Sequence, residues 1–437
     1  MQPQFYLLFY FFIACSSIKA QQSYFPPTTG TTWDTLAPSV LGYCPDKVDS
    51  LYQYLEQTDT KAFILLKDGK IVLERYFDTF TQDSVWYWAS AGKSLTACLA
   101  GIAQQEGYLS IEDTTSQYLG MGWTTMSLAQ EQAITIKDQL SMTTGLNDGG
   151  WSPDCTVDTC LQYLADAGTR WAYHNAPYTL LDQVIAQATG RSINTYLFQK
   201  IKQTTGMTGA YVPLGYNNVY FSKARSMARF GLFALNKGHW NGIPVLADTS
   251  YFREMTTPSQ NHNPAYGYLW WLNGQQSYQL PNIPFTFNGA LIPNAPSDLI
   301  MALGKNGQAI NVVPSQGVVW IRMGNAPGAA NILHTYNDSI WIKINALDCA
   351  TIATTSIDEK DAIQLFPNPA MTFVQVASSA RVQRWQLFNS VGQLIKQEEV
   401  VAQNNFSINL LGLTKGCYYL SLWQENGQKL THQIIKK

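Results

Sequence analysis

Ser90-Ala91-Gly92-Lys93 sets a hydroxyl and an amine three residues apart. On a helix, such a pair lies one turn apart on the same face. Serine in that position can act as a nucleophile and lysine as its base, which is the chemistry of acyl transfer. A helix start would add the positive end of the helix dipole, which favours negative charge on the serine oxygen. A lysine buried there would give up its proton far more easily than one in water. The bland alternative is a helix-capping serine followed by a surface lysine. Spacing alone does not decide, because Ser16 and Lys19 repeat it near the N-terminus.

Further along, Tyr173-His174-Asn175 offers a phenol and an amide. A phenol beside a lysine cation can be stabilised as phenolate and shuttle protons. The amide can orient a substrate carbonyl or the lysine. Lys305-Asn306-Gly307 then offers a cation beside a glycine, where substrate backbone can approach closely. These patterns also occur twice. Tyr216-Asn217-Asn218 repeats the second and Lys67-Asp68-Gly69 the third, and both read as turns. Only Ser90, Tyr173 and Lys305 each stand at the edge of a regular element, in that chain order. The joint arrangement is far more specific than any member.

Hydrophobic periodicity supplies those elements. Ala62 to Leu66 and Ile71 to Leu73 flank Asp68-Gly69 and read as a β-hairpin. After Ser90, residues Leu95, Cys98, Leu99, Ile102 and Ala103 recur at helical spacing, and Gly107 ends the run. A second helix is expected from Pro177 to Ala188, closed by Gly190, and a third from Ala224 to Asn236. Strands are expected at Ile310 to Val313 and Gly317 to Met323. Helices flanked by strands indicate an α+β or three-layer domain. Beyond residue 355 the pattern changes to short alternating strands, with Asn426-Gly427 as a hairpin turn. That composition reads as a small all-β sandwich.

The chain has 437 residues, of which 46% are hydrophobic and only 13% charged. The charged share is about half of that in an average globular protein. A net charge of −2 with no long basic run argues against a nucleic-acid partner. Phe5 to Ala14 is almost wholly apolar and Ile18-Lys19-Ala20 could precede a cleavage site, so residues 1–20 read as a signal peptide. No later stretch is apolar enough to be an integral membrane segment. Among the seven cysteines, Cys155 and Cys160 are the disulfide candidates, and Cys44 and Cys349 could form a second bridge. Cys98 falls on an inward helix face, as a buried free thiol would. The five histidines show no metal-ligand spacing, so no metal or cofactor is expected. No G-x-S-x-G elbow surrounds Ser90, which disfavours an α/β-hydrolase.

With these residues in place, the chain resembles the serine β-lactamase and penicillin-binding superfamily, particularly its class C-like, esterase and 6-aminohexanoate-dimer hydrolase branch. The likeness runs over roughly residues 40–345. It is carried by WASAGKSLTACLAGIAQQEG at Trp88, by ITIK and LSMTTGL at Ile134 and Leu140, and by YHNAPYTLLDQVIAQATG at Tyr173. ARSMARFGLFALNKGHWNG, YGYLWW and ALGKNGQAINVVP extend it. The resemblance implies a β-lactamase-like fold: an antiparallel sheet flanked by helices, plus a helical subdomain. It also implies that Ser90 forms an acyl-enzyme while Lys93 and Tyr173 share the acid and base work. Asn175 and Lys305 would position substrate or tune Tyr173, Gly307 would contact substrate, and the backbone N–H groups of Ser90 and Gln308 would form an oxyanion hole.

The C-terminal stretch has its own likeness. LFPNP from Leu365, LTKGCYY from Leu413 and the final IIKK resemble a type IX secretion sorting domain. The expected organisation is a signal peptide (1–20), a hydrolase domain (21–355), a linker (356–364) and a sorting domain (365–437). This implies a secreted or cell-surface protein, exported through the periplasm of a Gram-negative bacterium by secretion machinery. The expected partner is a small-molecule, short peptide or ester substrate. A D-alanyl carboxypeptidase, a β-lactamase proper, and a catalytically silent ligand-binding protein of the same fold are the alternatives.

Overall fold

A computed structural model describes residues 23–150, 152–326, 333–349, 363–425, 427 and 429–437. The expected signal peptide, most of the expected linker, Trp151 and Asn426 lie outside them. The central sheet is antiparallel, in the order Lys70–Tyr76, Thr60–Lys67, Val318–Gly324, Gln308–Val313, Ile300–Gly304 and Trp271–Leu272. Its first hairpin turns at Asp68 and Gly69, whose φ of 49° and 83° suit a two-residue turn.

Period-2 alternation gives the sheet two buried faces. Val319 meets Gly231 of helix Ala224–Leu235, where a methyl on the glycine would come within 2.5 Å of the valine. The next residue, Trp320, points the other way and packs on Trp341 of helix Leu333–Asn345 at 6.0 Å between ring centroids. A disulfide from Cys44 to Cys349 ties helix Pro45–Gln57 to the segment after that helix.

Helix Lys93–Gln105 differs from its amphipathic expectation, because every residue from Lys93 to Ala103 is buried. It runs through the interior, against helices Asn175–Thr189 and Thr249–Met255. Its polar side chains find partners there: Ser94 Oγ donates to the Leu269 carbonyl at 2.6 Å, and Thr96 Oγ1 bonds Tyr211 Oη at 2.9 Å. Glycine permits one close crossing, since a methyl at Gly101 would lie 2.2 Å from the Tyr251 ring. The Ile134 to Lys137 stretch, part of the likeness above, makes a single bridge from Thr135 to Thr114. It then becomes helix Ile136–Ser141, because Thr135 and Asp138 form a capping box.

The C-terminal region is all-β, as expected. Its strands, Ile363–Phe366, Phe373–Asn389, Leu394–Asn409, Gly416–Gln424 and Lys429–Lys436, bond into one sheet curled around its own core. Phe373–Asn389 stays one long strand with register breaks near Val382, where short strands are expected.

Two features of the sheet set the surroundings of Ser90. At the end of strand Ile300–Gly304, a methyl on Gly304 would lie 2.3 Å from the Trp88 carbonyl oxygen and 3.1 Å from the Ser90 nitrogen. The turn after it is held by the buried Arg322 guanidinium. Arg322 donates to the carbonyls of Asn306 (2.8 Å), Gly307 (3.1 Å), Thr58 (2.7 Å) and Asn325 (3.0 Å), and to Thr60 Oγ1 (3.0 Å). Gly304→Ala is expected to force the sheet edge and the Ser90 turn apart, at about 1–3 kcal/mol. Urea denaturation of the full chain reads this; a variant as stable as wild type would contradict the close approach.

Candidate active site

Ser90 lies in a tight turn, Ala89–Gly92, that leads directly into helix Lys93–Gln105. The turn is strained and heavily braced. Ala89 takes a φ of +48°, a conformation that costs a non-glycine residue roughly 1–2 kcal/mol. Trp88, just before it, donates its backbone N–H to the Tyr220 carbonyl at 2.8 Å and its indole N–H to Ser222 Oγ at 2.8 Å. Such local strain persists only where the surroundings over-determine it.

Lys93 Nζ donates to Ser90 Oγ at 2.9 Å. The ammonium is buried between two phenol rings, 4.3 Å from the Tyr178 centroid and 5.0 Å from that of Tyr173. Burial lowers its pKa to about 7, with the charge of Asp154 pulling the other way. A lysine in this setting is largely neutral just above neutral pH and can accept a proton.

Tyr173 stacks on Trp271 at 5.9 Å, with Tyr266 edge-on at 6.1 Å. Burial raises its pKa, and only hydrogen bonding with Ser90 opposes that shift. Desolvation therefore weighs against the phenolate state read from the sequence. The phenol stays protonated and can donate.

Asn175 is the first residue of helix Asn175–Thr189. Its Nδ2 donates to Asp154 Oδ1 at 2.7 Å, while its buried Oδ1 has no partner among the described residues. Asp154 sits next to Cys155, which is disulfide-bonded to Cys160. The preceding residue, Pro153, accepts the Ala176 N–H at 3.2 Å, so the loop is fastened to the helix start. His174 is buried away from the cavity, and burial lowers its pKa to about 4.

A cavity of about 350 Å³ opens over Ser90, Tyr173, Asn175 and Lys305. Lys305 is exposed at its rim. Leu280, Ile283, Leu291, Leu303 and Trp271 give it an apolar wall. Gly307 and Gln308 are not on that wall. Gly307 has a φ of +74° and packs so close to Arg322 and Tyr336 that a methyl would lie 2.6 Å from the guanidinium. The Gln308 side chain bonds Gly324 twice, donating to its carbonyl at 2.6 Å and accepting its N–H at 3.1 Å. Both hold the turn that carries Lys305, and Asn306 Nδ2 adds a bond to Tyr87 Oη at 2.7 Å. The second Y-x-N copy, Tyr216, is exposed on another face.

Sequence reasoning missed Asp154, Tyr178 and Arg322. Tyr178 lies three residues beyond Asn175 on one helix, a spacing that was open to inspection. Asp154 and Arg322 act through long-range contacts that leave no local pattern. Among the described residues, no helix is long and apolar enough to cross a membrane.

Comparison with known proteins adds relatives to this geometry. An uncharacterized protein of Alkalihalophilus pseudofirmus is 25% identical over 305 residues, covering 61% of this chain and 84% of its own. A 6-aminohexanoate-dimer hydrolase of Paenarthrobacter ureafaciens is 25% identical over 219 residues, 44% of this chain and 56% of its own. A penicillin-binding protein homolog from Caulobacter crescentus shares the fold, with a TM-score of 0.53 at 15% identity over 70% of this chain and 98% of its own. The beta-lactamase family model matches residues 50–339, more than half of the chain, and the secretion system C-terminal sorting domain model matches residues 364–437. The chain thus belongs to the beta-lactamase family, a family of serine hydrolases, and carries a C-terminal sorting domain that marks it for secretion or the cell surface.

Proposed function

We propose that this protein is an exported hydrolase that cleaves an ester or amide through a Ser90 acyl-enzyme. The observation that carries the reading is the buried Lys93 amine, 2.9 Å from Ser90 Oγ and brought by burial to a pKa of about 7. Neutral Lys93 takes the Ser90 proton as Oγ bonds to the substrate carbonyl carbon. The oxyanion is met by the backbone N–H groups of Ser90 and Gln308. As the tetrahedral adduct collapses, the leaving oxygen or nitrogen takes the Tyr173 proton, and the Lys93 cation restores it. Water then attacks the acyl ester, its proton passes back through Tyr173 and Lys93, and Ser90 Oγ is released protonated. The unpartnered Asn175 Oδ1 is suited to accept an N–H from the substrate or from Lys93.

The cavity wall favours an uncharged, apolar acyl group over a highly polar one. Short-chain esters and oligoamides fit that description. A second reading, a D-alanyl peptide or β-lactam substrate, is favoured by one observation: the exposed Lys305 cation at the rim can meet a substrate carboxylate. A Gram-negative periplasmic export route and removal of residues 1–20 complete the proposal.

A fluorophosphonate probe is expected to label the full chain at Ser90 and to leave Ser90→Ala unlabelled, with p-nitrophenyl acetate turned over faster than nitrocefin. Equal labelling of both proteins would overturn the enzyme reading in favour of a silent binding protein, and faster nitrocefin turnover would favour the carboxylate reading. The pH profile tests the base. Turnover requires neutral Lys93, so kcat/KM is expected to rise with pH through a midpoint near 7. Asp154 stabilises the cation, so Asp154→Asn lowers the Lys93 pKa and moves that midpoint to lower pH. A midpoint that stays in place or moves up would exclude Asp154 from this role.

A further inference from the structure

The sorting domain reaches into the catalytic pocket. Along strand Gly416–Gln424, Tyr418, Leu420 and Leu422 point into the sorting domain's own core. By the alternation of a strand, Cys417 and Tyr419 point the other way. Both pack against the core of the hydrolase, and Tyr419 is only 4% exposed. Tyr419 also lines the cavity that holds Ser90.

The contact runs through one hairpin of the hydrolase, Ser277–Leu280 and Ile283–Asn288. Leu280 and Ile283, at its tip, are part of the cavity wall. Its outer strand meets the sorting domain at several points. The Phe285 ring lies 4.9 Å from that of Phe388, and the Phe287 ring 5.3 Å from that of Tyr419. Asn288 Nδ2 donates to the Lys429 carbonyl at 2.5 Å, and Lys429 Nζ lies 5.9 Å above the Phe285 ring. Phe287 and Tyr419 are buried against each other, while Phe285 and Phe388 are half-buried beside them; ring contacts of this kind position a side chain rather than merely tether a domain.

We propose that Tyr419 of the sorting domain is a wall of the acyl pocket, so that the docked sorting domain sets the length of acyl group the site admits. The inference rests on the acyl-enzyme reading above. A ring in the wall of an apolar pocket excludes longer chains by steric conflict, and each methylene it admits or rejects changes specificity measurably. The same enzyme would therefore prefer short acyl groups with the sorting domain docked and accept longer ones once it is lifted away.

The test uses the full chain and the ratio of kcat/KM for p-nitrophenyl octanoate to that for p-nitrophenyl acetate. Tyr419→Ala is expected to raise this ratio about tenfold. Tyr419→Phe, which keeps the ring, is expected to leave it unchanged, as is Val401→Ser on the exposed far side of the sorting domain. Phe388→Ala provides a second route, because it loosens the docking contact without touching the cavity wall, and it should raise the ratio as well. A ratio that stays at the wild-type value in folded Tyr419→Ala and Phe388→Ala, while Ser90 still labels with a fluorophosphonate, overturns the proposal and spares the acyl-enzyme reading. Absence of label at Ser90 in every variant, wild type included, overturns both.

Discussion

The structure depends on keeping one ammonium group out of water. Lys93 lies at the start of a helix that is buried along most of its length, and its side chain is buried with it. Bringing its pKa from 10.5 to about 7 corresponds to a differential cost on the order of 5 kcal/mol for the charged form. That cost is what makes the amine a base. Asp154 and the faces of Tyr173 and Tyr178 offset it in part, and they keep the group from being driven neutral at every pH.

Everything around the pair serves to hold Ser90 Oγ against that amine. The Ser90 turn carries a strained alanine, so it needs external support. Trp88 ties it to strand Asn217–Lys223, and Gly304 lets the central sheet press directly against its backbone. Arg322 makes no ion pair within contact distance among the described residues and instead gathers carbonyl groups from three segments. This fixes the Lys305 turn relative to the sheet, and through the Asn306–Tyr87 bond relative to the Ser90 turn as well. The Ser90–Lys93 geometry is thus a property of the packed sheet and helix rather than of a flexible loop.

Local features were the legible ones. The Asp68-Gly69 hairpin, the helix end at Gly190 and the all-β C-terminal region follow from turn chemistry and periodicity, and all are present. The three motifs converge on one cavity, with Ser90, Tyr173, Asn175 and Lys305 on its wall and Lys93 beneath. Periodicity misjudged helix Lys93–Gln105, because small residues such as Ala97, Ala100 and Gly101 do not mark a face as buried. Gly307 packs against Arg322 and the Gln308 side chain bonds Gly324, so the part left to Gln308 at the site is that of its backbone N–H. Burial, which raises the Tyr173 pKa, weighs against the phenolate state, and sequence reveals a neighbouring cation more readily than the depth of burial. Asp154 and Tyr419 were invisible for the same reason: each reaches the site from a distant segment, and no local pattern records that.

The most direct measurement is the titration of Lys93 itself. Lysine side chains labelled with ¹³C at Cε can be followed by NMR in the full chain, with the Lys93 signal assigned by its loss in Lys93→Arg. The account requires a midpoint near 7, well apart from the other lysines. A midpoint near 10, the ordinary value for lysine in water, would mean that the amine is hydrated and charged and cannot serve as the base for Ser90.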